Sequence, residues 1–171
     1  MNKNWYALYT KPRAEFQAEK QITSIGVETY LPTITTLRQW SDRKKKVTAP
    51  LLPGYIFINA DEKERLNSLE QYSVVRTIMF EGKPAVIPDW QIDNLRKLLS
   101  KNPEVFILDR LTAGTRVKIT SGPFADIEGV VMQEANNEMN LVISIDMLNR
   151  SVVVKLPAGS VVKKIDKPEN K

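Results

Sequence analysis

The residues of this chain best suited to chemistry are aromatic and cationic, and their chemistry is recognition. Pro50-Leu51-Leu52-Pro53-Gly54-Tyr55-Ile56-Phe57-Ile58 reads as a strand opened by a Pro-Gly kink, with Tyr55 and Phe57 on one face and Ile56 and Ile58 on the other. A strand apolar on both faces is either covered twice or carries a binding surface. Just ahead of it, Arg43-Lys44-Lys45-Lys46 sets four cations in a row, a charge density that suits phosphates. Bond-breaking chemistry has few parts to work with. The chain contains no Cys and no His, which removes thiolate nucleophiles, disulfides, thiolate metal sites, the commonest general base and the commonest transition-metal ligand. Asp61, Glu62 and Glu64 cluster at a predicted helix N-terminus, where the helix dipole favours acids without any metal. With no phosphate loop and no nucleophile–base pair in view, the expectation is a protein that is not an enzyme and uses no metal or cofactor.

Composition sets the class. At 171 residues, 42% hydrophobic and 26% charged, the chain has material for one medium domain or two small ones. No apolar run is long enough to span a bilayer, and Met1-Asn2-Lys3-Asn4-Trp5 leads directly into a strand, so a soluble cytoplasmic protein is expected. The net charge of +5 is unevenly spread: residues 1–100 hold 15 Lys and Arg against 11 Asp and Glu, whereas residues 113–162 hold 4 against 5. A basic first half suits a polyanion, and a near-neutral second half suits a protein surface.

The elements that must position these groups alternate in the first half. Trp5-Tyr6-Ala7-Leu8-Tyr9-Thr10 reads as a strand, Pro12 as a helix N1 residue ahead of the stripe Ala14, Ala18, Ile22 and Ile25, and Gly26 as its stop. A strand near Glu28–Leu37 follows, and Arg38–Lys46 reads as the basic tip of a hairpin whose return is the apolar strand. Asp61 and Glu64 have the form of a capping box, opening a helix that buries Leu66 and Leu69. Val74–Phe80 is the next strand, and Pro88-Asp89 opens a third helix with Ile92, Leu95 and Leu99 on one face. The order strand-helix-strand-strand-helix-strand is the ferredoxin-like, split βαβ plan, an α+β architecture whose first and third strands are central. That plan sets the Trp5–Tyr9 aromatics beside Tyr55 and Phe57, near an open groove.

Lys101-Asn102-Pro103-Glu104 breaks the third helix and begins a linker, residues 101–112. Beyond it the pattern predicts strands alone: Arg116–Ile119, Gly129–Met132, Asn140–Ile145, Ser151–Leu156 and Val161–Ile165, a small five-stranded β-barrel over residues 113–166 with a tail at 167–171.

Gly114–Val131, with Gly122-Pro123 at a turn and Gly129 at a tight bend, resembles a KOW motif. Together with Trp5–Arg13 and Pro50–Ile58 it makes the chain, over about residues 4–166, resemble the NusG family of transcription elongation factors. Its plan is an amino-terminal NGN domain, here 1–100, followed by a linker and a KOW domain. The basic segment Arg38–Lys46 leading into Pro50–Tyr55 is most similar to the specialised RfaH- and UpxY-type paralogues, which serve particular long operons. The resemblance implies an elongation and antitermination factor. Its NGN groove, at Tyr9, Leu52, Tyr55, Phe57 and Phe80, would bind the clamp helices of RNA polymerase, with Trp5 supporting the groove from beneath. Leu52 stands where a Phe is common. Lys11 and Arg13 fall where family members meet non-template DNA, Gln17 joins them one helical turn after Arg13, and Arg43, Lys44, Lys45 and Lys46 would lie near upstream DNA or polymerase. The KOW domain would recruit a protein, a small-subunit ribosomal protein or the termination factor Rho, through Phe124, Ile127, Met147 and Leu148. A monomer with no membrane partner is implied.

Two other readings share these residues. Gly54-Tyr55-Ile56-Phe57-Ile58 with Trp5–Tyr9 imitates the base-stacking strands of an RNA-recognition module, although Pro53 stands where a basic residue belongs. A ribosome-associated KOW protein is the other, against which the lack of positive excess in residues 113–162 counts.

Overall fold

The aromatic and β-branched runs of the first half become neighbouring central strands in the computed structural model, which describes residues 2–39, 43–101, 103–108, 115–133, 139–145, 148, 150–157 and 160–164. The chain divides into two units, Met1–Asp89 and Trp90–Lys171. The first contains β1 (Asn4–Thr10), α1 (Glu15–Ser24), β2 (Glu28–Tyr30), β3 (Thr33–Gln39), β4 (Lys44–Pro50), β5 (Tyr55–Ala60), α2 (Glu62–Leu69), β6 (Val74–Thr77), β7 (Met79–Phe80), β8 (Lys83–Pro84) and β9 (Val86–Ile87). Its main sheet runs β2-β5-β1-β6 with antiparallel neighbours, and β9 also pairs with β1. The central strands are therefore β1 and β5, the first and third of the split βαβ plan. Tyr6, Leu8, Ile56, Ile58 and Ala60 pack with Ala18 and Ile22 of α1 and with Val27, Leu31 and Val74. At about 1.5–3 kcal/mol for each large aliphatic side chain buried, this layer fixes where β1 and β5 lie. Alternation then turns Ala7, Tyr9, Tyr55 and Phe57 to the opposite face.

Several expected boundaries move, each for a local reason. The strand expected at Glu28–Leu37 breaks at buried Leu31 and Pro32, where the Pro32 carbonyl accepts the Leu51 N–H at 2.8 Å. The expected tip Arg38–Lys46 is mostly ladder, since Arg38 pairs with Lys45 and Gln39 with Lys44. The single strand expected from Pro50 to Ile58 is two pieces, for β4 ends at Pro50 and Gly54 turns the chain at φ +85° before β5. Pro12 is not the first residue of α1. It is the second residue of a type II turn, in which Ala14 donates to the Lys11 carbonyl at 3.1 Å and Arg13 takes φ 59°.

The capping box forms as read: the Glu64 N–H reaches Asp61 Oδ1 at 2.8 Å, and the Asp61 N–H reaches Glu64 Oε2 at 2.9 Å. The Lys3 ammonium and the Asp61 N–H hold the Glu64 carboxyl below its usual range. Behind this cap, α2 buries Arg65 and Ser68, while Leu66 is exposed. The Arg65 guanidinium tolerates burial because Glu62 and the Thr77 hydroxyl accept its hydrogen bonds. The expected strand Val74–Phe80 is interrupted at Ile78, and β7 and β8 are joined through Glu81 (φ 48°) and Gly82 (φ 77°), both left-handed as a type I′ turn requires.

The second unit takes α3 (Asp89–Ser100), β10 (Val105–Leu108), β11 (Thr115–Ser121), β12 (Glu128–Gln133), β13 (Met139–Ile145), β14 (Arg150–Lys155) and β15 (Val161–Lys164). Its sheet is antiparallel throughout, in the order β10-β14-β13-β12-β11-β15. The five expected strands are all present. A sixth, β10, comes from the segment expected to be linker, because Val105–Leu108 pairs with Ser151–Val154 along the free edge of β14. The division between the two units falls at the start of α3. That helix buries Ile92, Leu95 and Leu98, with Leu99 half-buried, and its Asn94 side chain exchanges hydrogen bonds with the Glu128 backbone at 3.0 and 3.4 Å. The expected tail lies outside the described residues.

Gly129 stands just before the first β12–β13 rung, Val130↔Val142, with β13 packed tightly against it. A Cβ there would lie 2.6 Å from the Val142 carbonyl oxygen and 2.8 Å from Leu141 Cδ1, and the former is backbone that cannot rotate away. Gly129→Ala should destabilise the second unit by about 1–3 kcal/mol, the usual cost of overpacking. Urea unfolding followed by far-UV circular dichroism measures it, and an unchanged midpoint would mean that the two strands separate freely.

Candidate nucleic-acid and partner interface

The aromatic part of the site is assembled by the turn that enters β5. Tyr9 and Tyr55 stand opposite each other in the β1–β5 register, with ring centroids 5.5 Å apart at 68°, an edge-to-face pair. Gly54 makes this possible twice over. Its φ of +85° is in the left-handed region, and a Cβ would meet Tyr9 Cε2 at 3.0 Å. Two buried hydrogen bonds hold the turn: the Thr10 N–H donates to the Gly54 carbonyl at 2.8 Å, and the Gly54 N–H donates to Glu15 Oε1 at 2.7 Å. Glu15 is itself buried, in the first turn of α1, where a carboxylate is favoured by the helix dipole.

The five aromatic and aliphatic residues expected to line a groove do not share one exposure. Tyr9 and Tyr55 are half-buried. Phe80 is 55% exposed and stands on the separate β7–β8 hairpin beside exposed Met79. Leu52 and Phe57 are fully buried, a correction to their reading as surface residues. Leu52 lies in the turn before β5 and not on a strand, and Phe57 is stacked on Tyr30 across the β2–β5 pair at 6.1 Å and 23°. Trp5 is buried.

The cationic edge lies at the end of β1. The Lys11 N–H donates to the Ser73 carbonyl at 2.9 Å, and the Ser73 N–H donates to Gln21 Oε1 at 3.1 Å, which ties the loop after α2 to the turn before α1. Across this tie the Lys11 ammonium sits 3.3 Å from the centroid of the Tyr72 ring, a close cation–π contact, and Tyr72 is 74% exposed. Arg76 covers the Tyr9 ring at 5.8 Å. Arg13 and Gln17 are exposed on the turn and on α1. Tyr72 and Arg76 are the residues that sequence reasoning missed. The available signal was a lone aromatic in the polar run Glu70-Gln71-Tyr72-Ser73, with no apolar stripe to claim it.

Arg43, Lys44, Lys45 and Lys46 are exposed, the last three on β4. In the second unit, Phe124, Ile127 and Leu148 are buried, against their reading as exposed contacts. The turn explains it: the Ile119 N–H donates to the Ile127 carbonyl at 3.0 Å, the Asp126 N–H donates to the Ile119 carbonyl at 2.9 Å, and the Ile127 N–H closes onto the Phe124 carbonyl at 3.2 Å, which together carry Ile127 inward. Met147 lies outside the described residues. Among the described residues no helix is long and apolar enough to cross a membrane, and no acidic cluster could hold a metal ion.

Glu15→Ala should strand the Gly54 N–H without an acceptor, at a cost of about 1–3 kcal/mol, whereas Glu15→Gln keeps an acceptor and should cost less. Urea titration of both variants, read by tyrosine fluorescence, checks this. A Glu15→Ala form as stable as the wild type would show that the carboxylate is not what holds the turn.

Three comparisons bear on this geometry. The family described as "Transcription termination factor nusG" matches residues 3–96. The transcription termination/antitermination protein NusG of Thermus thermophilus is 27% identical over 184 residues, covering 95% of this chain and 100% of that protein. Its counterpart from Haemophilus influenzae is 27% identical over 154 residues, covering 87% and 83%. Among solved structures, one describing domain interaction in Thermotoga maritima NusG aligns over 97% of this chain and 99% of that one, with a TM-score of 0.51 at 22% identity.

Proposed function

Because the chain belongs to the NusG family of transcription termination and antitermination factors, whose members are not enzymes, we propose that its first unit grips the clamp helices of RNA polymerase and raises processivity. The observation that carries this reading is the Tyr9–Tyr55 pair, half-exposed on a rigid sheet and fixed by Gly54. Preorganised aromatics of this kind are the usual anchors when a helix docks in a groove. Tyr9, Tyr55 and Phe80 make the contact in this reading, and Leu52 and Phe57 form its floor. Truncation of Tyr55 and Phe80 to Ala should weaken binding to core RNA polymerase by about 1–3 kcal/mol for each residue, measured by fluorescence anisotropy. A folded double variant with wild-type affinity would overturn the assignment.

Lys11, Arg13, Gln17 and Tyr72 form a nucleic-acid edge in the same reading, facing non-template DNA, and the Arg43–Lys46 segment faces upstream DNA. The backbone of Arg13 supports this. A non-glycine residue at φ 59° costs free energy that glycine would not, and its exposed guanidinium gives the reason to keep it. Arg13→Gly should leave thermal stability intact or raised while lowering recruitment to a paused elongation complex and reducing the salt slope by about 0.7, one single-strand phosphate. An unchanged slope would reduce Arg13 to a solvated turn residue.

The second unit is read as a KOW barrel that recruits a protein, a small-subunit ribosomal protein or Rho, as the net charge of −1 over residues 113–162 supports. Its contact is the loop carrying exposed Pro123, Ala125 and Asp126, shaped by buried Phe124 and Ile127, with Leu148 also buried in this unit. The basic β3–β4 ribbon favours a specialised RfaH- or UpxY-type factor working as a monomer in the cytoplasm.

A further inference from the structure

The β3–β4 ribbon forms its own two-stranded sheet, paired residue by residue from Thr33↔Pro50 to Gln39↔Lys44. Burial falls along it, from half-buried Thr33 and Ile34 to exposed Thr35–Gln39, and Lys44, Lys45 and Lys46 on the return strand are exposed too. Seven residues of strand extend about 24 Å at about 3.4 Å each, so a narrow arm reaches away from its base. Neither strand contains an acidic residue.

The faces of the arm can be assigned. Thr35 and Thr48 share one face, since their hydroxyls hydrogen-bond at 2.9 Å. Alternation puts Leu37, Gln39, Lys46 and Lys44 on that face, and Thr36, Arg38, Val47 and Lys45 on the other. Each face therefore carries two cations, Lys44 and Lys46 on one, Arg38 and Lys45 on the other. Arg38 and Lys45 are directly opposed, an arrangement that weakens a ladder. Exposed Leu37, 65% accessible, stands directly opposite Lys46 on that face.

An arm laid on a flat anionic surface would bring the cations of only one face against it. Cations on both faces call for phosphates on both sides, and a duplex groove supplies two phosphate walls. The B-form major groove, about 12 Å wide, admits a two-stranded ribbon, whereas the major groove of an A-form duplex is too narrow and deep. We propose that the β3–β4 ribbon inserts edge-on into the major groove of duplex DNA, with Lys44 and Lys46 on one phosphate wall and Arg38 and Lys45 on the other. This rests on the reading that the ribbon meets nucleic acid, and specifies which form it takes.

The test uses the full chain and a short duplex of arbitrary sequence, with binding followed by anisotropy across a salt series. Two double variants, Lys44→Gln with Lys46→Gln and Arg38→Gln with Lys45→Gln, should each lower the salt slope by about 1.8, two phosphates apiece. A duplex whose major groove is filled by glucosylated hydroxymethylcytosine should bind several-fold more weakly, as should the matching RNA duplex, and the minor-groove ligand netropsin should not compete. A slope change confined to one double variant, competition by netropsin, or tighter binding of the single strand would overturn groove insertion while leaving nucleic-acid binding in place. If the wild-type chain binds none of the nucleic acids, the underlying reading falls with it.

Discussion

One buried hydrogen bond, from the Gly54 N–H to the Glu15 carboxylate, joins three parts of the first unit that are distant in sequence. Glu15 sits in the first turn of α1, Gly54 ends the turn into β5, and the Gly54 carbonyl takes the N–H of Thr10 at the end of β1. A buried carboxylate without partners would be costly. With a backbone donor and the positive end of a helix beside it, the same group becomes a rivet. Because Gly54 is also the only residue type that leaves room for the Tyr9 ring at that φ, the turn, the helix start and the aromatic pair are one constraint. The Lys11–Ala14 turn begins immediately after the riveted end of β1, so the cationic edge inherits its position from the same bond.

Around this fixed point the structure accepts local costs on the surface. Arg13 occupies a left-handed conformation where glycine would be easier, Arg38 opposes Lys45, and Tyr72 exposes most of a large ring. None of these features contributes to the buried core. They lie where backbone hydrogen bonds over-determine the local geometry: Ala14 to Lys11, Lys11 to Ser73, and the paired rungs of the ribbon. Strain and repulsion persist only where the surroundings hold them, and here they accompany exposed cations and aromatics.

The sequence showed the central strands because their patterns are long and strongly aromatic, and showed the α2 start because Asp61 and Glu64 form a purely local device. It misplaced features that depend on distant partners. Pro12 looked like a helix start, but the carbonyl that closes its turn and the tie to Ser73 are tertiary facts. Leu66 looked buried until Arg65, satisfied by Glu62 and Thr77, took its place in the interior. Leu52 and Phe57 were legible as apolar, but not as interior: alternation gives a face and says nothing about what covers it. Tyr72 is legible only as a lone aromatic in a polar run, since its partner Lys11 lies across the tie between two loops.

The second unit shows the same limit for whole elements. The stripe of α3 announces a helix with a buried side, yet an apolar stripe carries no address, because Ile92, Leu95 and Leu98 would be equally satisfied by any greasy surface. Direction comes from the polar groups. Asn94 both donates to and accepts from the Glu128 backbone, and the Arg116 guanidinium lies 5.3 Å from the Trp90 ring. A buried amide without those partners would cost about 1–3 kcal/mol, so the helix is specified toward β12 by the penalty for going elsewhere. The run Val105–Leu108 follows the same rule. It looks like linker because Pro103 precedes it and no alternation marks it, but β14 has an unpaired edge, and pairing that edge satisfies backbone groups that no side-chain pattern records.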